Sequence, residues 1–507
     1  GDYQGSNAAI RNSRVTYVGA NTSISASALS HGDGGTVIVW ADHTTRFHGQ
    51  IIAEGGVTGG DGGFSEVSGK GFLTFDGDVS LASRLGGQNG TLLLDPTTIT
   101  VQAATPDIDG ALSAATDDIN ALTDLDETTD FATANSIITA TAVNNLLIGT
   151  NLLQLKATSS IAINAAITGT GMSASLELVA PAITIAANVT TTGTQKYDGA
   201  VTLGAGVVLT GSTVQNVSTI AGGTNGLKID GDADIDGEIT GLSTFEVTGD
   251  SNIGANVAAS GNQTYSGAVT LSGGARMLSG DTINTKSTVD GGTNQLTIMG
   301  KADIDGAVTN VTTLNVSSTS TIGANVTTTG LQTYVGLVTL SADVILQGTT
   351  PTFTAGVAGG GKDLTLNFSG TTTIDGAKFM GIDALTTGNG GATQLTGSLT
   401  TTGNQTYNDA VTLTGATILT GSTVQNVSTI GNDGTARSLK IAGIADIDGA
   451  ITGLSTFEVT GASNIGANVT TTSTQKYTGA VTLSNNVIID SSTNNGNILF
   501  SATIATA

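Results

Sequence analysis

The chain has 507 residues and carries 40 acidic against 16 basic side chains, a net charge of −24 that makes nucleic acid and anionic membranes poor partners. Hydrophobic residues make up 38%, charged residues only 11%, and 72 glycines occur without a Gly-X-Y period, so neither charge-driven disorder nor collagen fits. Cysteine is absent, which excludes disulfides, thiolate catalysis and Cys-based metal centres.

No apolar run reaches the roughly 18 residues of a membrane helix, so membrane insertion is not expected. Gly1-Asp2-Tyr3-Gln4 lacks the charged-then-apolar order of a signal peptide, and a start at Gly1 reads as a processed or excised segment. Residues 1–96 repeat on a short beat. Gly35-Thr36-Val37-Ile38-Val39, Gly63-Phe64-Ser65-Glu66-Val67 and Gly90-Thr91-Leu92-Leu93-Leu94 follow one another at spacings of 28 and then 27, and Arg46-Phe47-His48-Gly49 precedes Thr74-Phe75-Asp76-Gly77 by 28. Short β-branched strands between Gly, Asn and Asp turns on a fixed beat predict a parallel β-helix, whose rungs cannot bury their inner face alone. Only four prolines occur, as an almost fully hydrogen-bonded ladder requires.

The stretch Thr36-Val37-Ile38-Val39-Trp40-Ala41-Asp42, with Thr44-Thr45-Arg46-Phe47, Gly59-Gly60-Asp61-Gly62-Gly63-Phe64, Glu66-Val67-Ser68-Gly69-Lys70 and Gly90-Thr91-Leu92-Leu93-Leu94-Asp95-Pro96, resembles the filamentous haemagglutinin family of large bacterial exoproteins. The specific match covers residues 1–96, and the later repeats are similar in a looser way. The resemblance implies a right-handed β-helix, two-partner secretion through an outer-membrane partner of a Gram-negative bacterium, and an adhesive role at the cell surface or outside the cell. The family's amino-terminal secretion domain and carboxy-terminal toxin domain have no counterpart here.

Residues 97–150 break the pattern. From Asp107 to Asp130 every charge is negative, which reads as an acidic loop thrown out from the stack. Val143, Leu146 and Leu147 share one face of a short helix that Thr139 or Thr141 could cap.

Residues 151–507 repeat in modules. Gln-x-Tyr recurs at Gln195/Tyr197, Gln263/Tyr265, Gln332/Tyr334, Gln405/Tyr407 and Gln475/Tyr477, with tyrosine spacings of 68, 69, 73 and 70. A module near seventy residues suggests three rungs of roughly 23, or four shorter ones, at ~4.8 Å per rung. Leu209 to Ile220 is identical to Leu419 to Ile430, an offset of 210 or three modules. Repetition of that kind is hard to reconcile with a single active site.

Candidate chemistry is sparse. Asp234/Asp236, Asp303/Asp305 and Asp446/Asp448 put two carboxylates on one face of a strand before glycine. Turn chemistry is the first reading, weak calcium binding the second and carbohydrate catalysis the third. Thr373-Ile374-Asp375-Gly376 is a weaker copy. Of the three histidines, His31, His43 and His48, two lie near Trp40 and Arg46 with Asp42 available as a third ligand, and they read as solvated turn residues before they read as metal ligands. Gly55 to Gly63 is a turn, lacking the Lys and helix of a phosphate loop. Twelve Asn-x-Ser/Thr sequons, among them Asn188, Asn216, Asn262, Asn325, Asn404, Asn426 and Asn468, allow glycosylation and also suit β-helix corners.

These readings converge on an extracellular, non-enzymatic β-solenoid without cofactors. Its uncharged last ten residues and uncapped ends suggest head-to-tail stacking of copies, with Gly1, Tyr3, Phe500, Ile504 and Ala507 at the junction. Host or neighbouring-cell glycans or receptors are the further partners expected of an adhesin. A stalk segment of a larger monomeric adhesin is the alternative, and a carbohydrate-active β-helix enzyme is the reading from another class.

Overall fold

A computed structural model describes residues 2–103, 136–388 and 390–507. The acidic stretch from Asp107 to Asp130 and the junction residue Gly1 lie outside the described residues. The chain forms two compact units, Gly1–Gly261 and Asn262–Ala507, and each is a parallel β-solenoid.

In the first unit the short beat becomes register. Thr36 pairs with Phe64, Phe64 with Thr91, Arg46 with Thr74 and Phe47 with Phe75. The Phe47 and Phe75 rings stack at 5.3 Å and 12°, as in-register coils place identical side chains directly over one another. A separate parallel sheet of Ser23–Ser25, Gln50–Ile52 and Asp78–Ser80 forms a further face.

The break in the sequence pattern is narrower than residues 97–150. Thr98–Gln102 is a strand with Ile99 and Val101 buried, and Ser136–Thr139 is inserted between it and Phe72–Phe75. Chain order and stacking order are therefore exchanged at this point. The helix α1 (Ala140–Gly149) follows and replaces a strand rather than leaving the stack. Leu81 donates its amide to Gly149 O (3.2 Å) on one side, and Thr168 donates to Asn144 Oδ1 (2.7 Å) on the other. Its buried face is Ala140, Val143, Leu146 and Leu147, and Thr139 Oγ1 accepts the Ala142 amide (3.1 Å) as the cap. Thr139→Ala should cost about 1 kcal/mol in thermal unfolding, whereas Thr141→Ala, on the exposed side, should be nearly silent.

Beyond the helix the coils tighten. In the second unit Arg276 pairs with Leu296, Leu296 with Leu314, Leu314 with Gln332 and Gln332 with Pro351, so successive coils are offset by 20, 18, 18 and 19 positions in the chain. Each coil contributes one short strand to each of three faces. Between Gln263–Tyr265 and Gln332–Tyr334 the chain makes eleven strand-to-strand steps. The expectation of three rungs to a module, or four, is thus corrected: a module is three and two-thirds coils. The coil is shorter than a third of a module because most of its corners are turns of two or three residues, with longer connections only at places such as 291–295 and 433–437.

Eleven is not a multiple of three, so successive modules do not stack. Tyr265 lies on the face that continues through Thr285, Ile304 and Ile322. Tyr334 lies on a second face with Ile298 and Val316, and Tyr407 on a third with Leu366 and Thr387. Tyr477 returns to the first face, reached from Tyr265 through eleven coils. Three modules are the shortest block that restores both sequence and face.

Candidate functional site

The Gln-x-Tyr signature points inward. All five glutamines and all five tyrosines are buried at 0 to 1% exposure. Position i and i+2 share a strand face, so each tyrosine hydroxyl reaches the glutamine of its own strand. Tyr334 donates to Gln332 Oε1 (3.0 Å), while Gln332 Nε2 donates to Val326 O (3.1 Å) and Gln347 O (2.7 Å). Gln405 and Gln475 repeat the pattern with Leu399 O and Thr420 O, and with Val469 O and Asp490 O. The pair is a polar staple that satisfies corner carbonyls of two coils inside an apolar core. Burial holds the Tyr334 hydroxyl well above its ordinary pKa, so it stays a donor.

The carboxylate pairs point outward. Gln215 Nε2 donates to Asp234 Oδ2 and Asp236 Oδ2 (3.0 Å each), and Asn252 Nδ2 donates to Asp234 Oδ1 (2.8 Å). Gln425 clasps Asp446 (3.1 Å) and Asp448 (2.9 Å) in the same way, with Asn464 on Asp446 (2.8 Å). At Asp303 the neighbouring coils offer Asn284 and Thr321 instead. Burial, then the charge of Asp305, raises the Asp303 pKa, against the pull of Lys286. Asp375 accepts the Ala377 amide (3.2 Å) and caps a single 3-10 turn.

The glycine of the motif has a steric cause. A Cβ on Gly237 or Gly449 would lie 1.6 Å from Ser218 O or Ser428 O of the preceding coil, and one on Gly306 would lie 1.9 Å from Ser287 O. The same corner uses a buried asparagine: Asn426 Nδ2 donates to Ser428 O (2.9 Å) and Gly449 O (2.7 Å). Asn216 does likewise at Ser218 O and Gly237 O (2.8 Å each), so these two sequons spend their amide nitrogens on the fold. Asn188, Asn325 and Asn468 accept amides of the next coil through Oδ1 (2.8 Å each).

The histidines are not brought together. His48 pairs with Asp76, His43 Nδ1 meets Thr44 Oγ1 (2.9 Å), and His31 sits in the turn beside Gly56 and Gly59. Asp42 instead accepts Trp40 Nε1 (3.2 Å) and Asn12 Nδ2 (2.9 Å), hydrogen bonds that lower its pKa in that order. Among the described residues no group of three or more His, Asp or Glu is gathered as a metal site.

Of the junction residues, Tyr3 lies on the flank of the stack and not at its edge. Its ring is 5.8 Å from Phe64, and the next residue, Gln4, donates its amide to Glu66 Oε2 (3.0 Å). Phe500 stacks on Tyr477 (5.0 Å, 11°), the Ala507 amide donates to Leu483 O (3.0 Å), and Ile504 is half exposed. Ile498–Phe500 and Ile504–Thr506 each pair on one side only, with Gln475–Tyr477 and Val481–Leu483.

One charged cluster occurs once among the described residues and was not legible as a site in the sequence. Glu66, Asp95 and Lys156 stand on the outer side of consecutive coils, yet Glu66 is fully buried and Asp95 is 7% exposed. Lys156 Nζ lies 3.1 Å from Asp95 Oδ2. Burial raises both carboxyls above their usual range, Asp95 against the pull of Lys156 and Glu66 against the Gln4 and Ser68 hydrogen bonds. A carboxyl raised on folding contributes stability that is fully present below its unfolded pKa, near 4.3 for Glu, and lost as pH rises through the folded value. The unfolding free energy of Glu66→Gln should therefore fall less steeply than that of the parent as pH rises above about 4, as denaturant titrations at each pH would register.

The fold and its repeated decoration define the class: a parallel β-solenoid repeat protein. No protein-family model matches the chain, and no curated protein matches it at a significant level.

Proposed function

We propose that this solenoid has a structural and adhesive role outside the cell, as the sequence resemblance to filamentous haemagglutinins implies. The observation that carries the reading is the eleven-strand module. Because each module advances by two-thirds of a coil beyond three full coils, similar outward groups come round on all three faces. The motif copies of the second unit follow this rule: Asp303 stands on the face of Tyr265 and Asp446 on the face of Tyr407, while the weaker Thr-x-Asp copy at Asp375 follows the Tyr334 face. A surface repeated around the axis suits multivalent attachment, in which several weak contacts to glycans or receptors act together. Recurrent carboxylates, held by side-chain amides at Asp234/Asp236 and Asp446/Asp448, fit this role better than catalysis. Turnover on a polysaccharide that is abolished by Asp303→Asn would replace it by the enzyme reading.

Head-to-tail assembly is the finer form of the proposal. The one-sided strands Ile498–Phe500 and Ile504–Thr506 present the kind of edge that a further coil, of this chain or of a second copy, would pair with. Electron microscopy of the native material should show filaments that shorten or vanish on Ile504→Lys while β circular dichroism persists. Monomeric particles in both samples would favour the stalk of a larger adhesin exported with an outer-membrane partner.

A further inference from the structure

The Glu66, Asp95 and Lys156 cluster has the composition of a self-cross-linking site. Asp95 Oδ2 is 3.1 Å from Lys156 Nζ, while Asp95 Oδ1 and Glu66 Oε1 are buried without hydrogen-bond partners among the described residues. Ser68 Oγ accepts the Asp95 backbone amide (3.1 Å) and also hydrogen-bonds the Glu66 carboxyl, linking Glu66 to the Asp95 main chain. Trp40, Ser68 and Leu93, all buried, are the outward neighbours of these groups on adjoining strand positions. Buried ions are costly, and the two buried carboxyls, beside a Lys156 side chain that is 32% exposed, can lower that cost by becoming neutral.

We propose that Asp95 and Lys156 condense to an intramolecular isopeptide bond, with Glu66 as the proton carrier. Within the ion pair the ammonium gives one proton to the Asp95 carboxylate, leaving a free amine against a neutral acid. Nζ attacks Cγ; the Nζ–Cγ bond forms and a Cγ–Oδ bond breaks. The second amine proton passes through Glu66 to the departing hydroxyl, so that one water leaves, Glu66 ends as it began, and no oxidant or cofactor takes part. The raised carboxyl pKa values favour the neutral acid forms that the condensation needs. Pro96 removes the usual competitor, because a residue without a backbone N–H cannot close a succinimide onto Asp95.

The bond would tie together two adjacent coils whose residues are 61 apart in sequence, across the insertion that holds α1. A pull on the chain could then not unravel the stack past that point.

Mass spectrometry of the purified full chain tests this directly. The intact protein should be one water lighter than its sequence mass. Trypsin should fail to cut after Lys156, giving a fragment of residues 85–196 that also lacks one water, since no other Lys or Arg lies between Arg84 and Lys196. Dilute acid should spare the chain's single Asp-Pro bond, Asp95-Pro96, whose cleavage needs the free carboxyl. Lys156→Arg should restore the full mass, Glu66→Gln should keep it, and Glu66→Asp should return the lighter species at least in part. Full sequence mass and normal cleavage after Lys156 in the parent protein would overturn the proposal, as would a missing water that persists in Lys156→Arg.

Discussion

Gly449→Ala should be the most damaging small substitution in the second unit, costing about 4 kcal/mol or more in urea unfolding. The added methyl would meet Ser428 O at 1.6 Å and Ser428 C at 2.2 Å, both backbone atoms held in the coil below. Relief requires the corner to move. That corner carries the Asp448 and Gly449 amides on Asn426 O (3.0 and 2.9 Å) and the Asn426 side chain on Gly449 O (2.7 Å). Asp446→Ala, in the same motif, removes only outward hydrogen bonds and should cost no more than about 1 kcal/mol. Equal losses for the two variants would mean that the glycine is there for its turn and not for the closeness of the coils.

Gln332→Leu should come next, at about 3 to 5 kcal/mol, because it removes three hydrogen bonds at once, two of them to buried groups worth about 1–3 kcal/mol each when left unpaired. The Tyr334 hydroxyl loses its acceptor, Val326 O loses the Gln332 amide, and Gln347 O keeps only the longer contact from Thr328 Oγ1 (3.4 Å) among its side-chain donors. Tyr334→Phe strands only Gln332 Oε1 and should cost roughly 1–2 kcal/mol. The double variant Gln332→Leu/Tyr334→Phe should be less damaging than the sum of the two singles, since the leucine no longer leaves a hydroxyl unpaired. Additive costs, measured by denaturant titration, would show that the staple is not a coupled unit.

The strands, the repeat and the helix could be read from the residues, because alternation and cap chemistry are local. The short beat of the first rungs gave the register of Thr36, Phe64 and Thr91 directly. What local pattern cannot supply is the number of coils in a module, since a coil closes on the strand beneath it at a distance set by corners. Reading Gln-x-Tyr only as a marker missed its inward face, although two large polar residues at i and i+2 already imply a shared environment. The exchange of strand order at Ser136–Thr139, and the meeting of Glu66, Asp95 and Lys156, depend on pairing across an insertion and leave no trace in composition or period.

The phase of the module can be measured by double electron–electron resonance between spin labels on Thr264→Cys and Lys476→Cys, in a chain that has no cysteine of its own. These outward positions flank Tyr265 and Tyr477 on one face, eleven coils apart. At ~4.8 Å per coil the labels should be separated by about 53 Å. A separation of about 43 Å, the length of nine coils at ~4.8 Å, would instead give three whole coils to each module and contradict the rotation of modules around the faces.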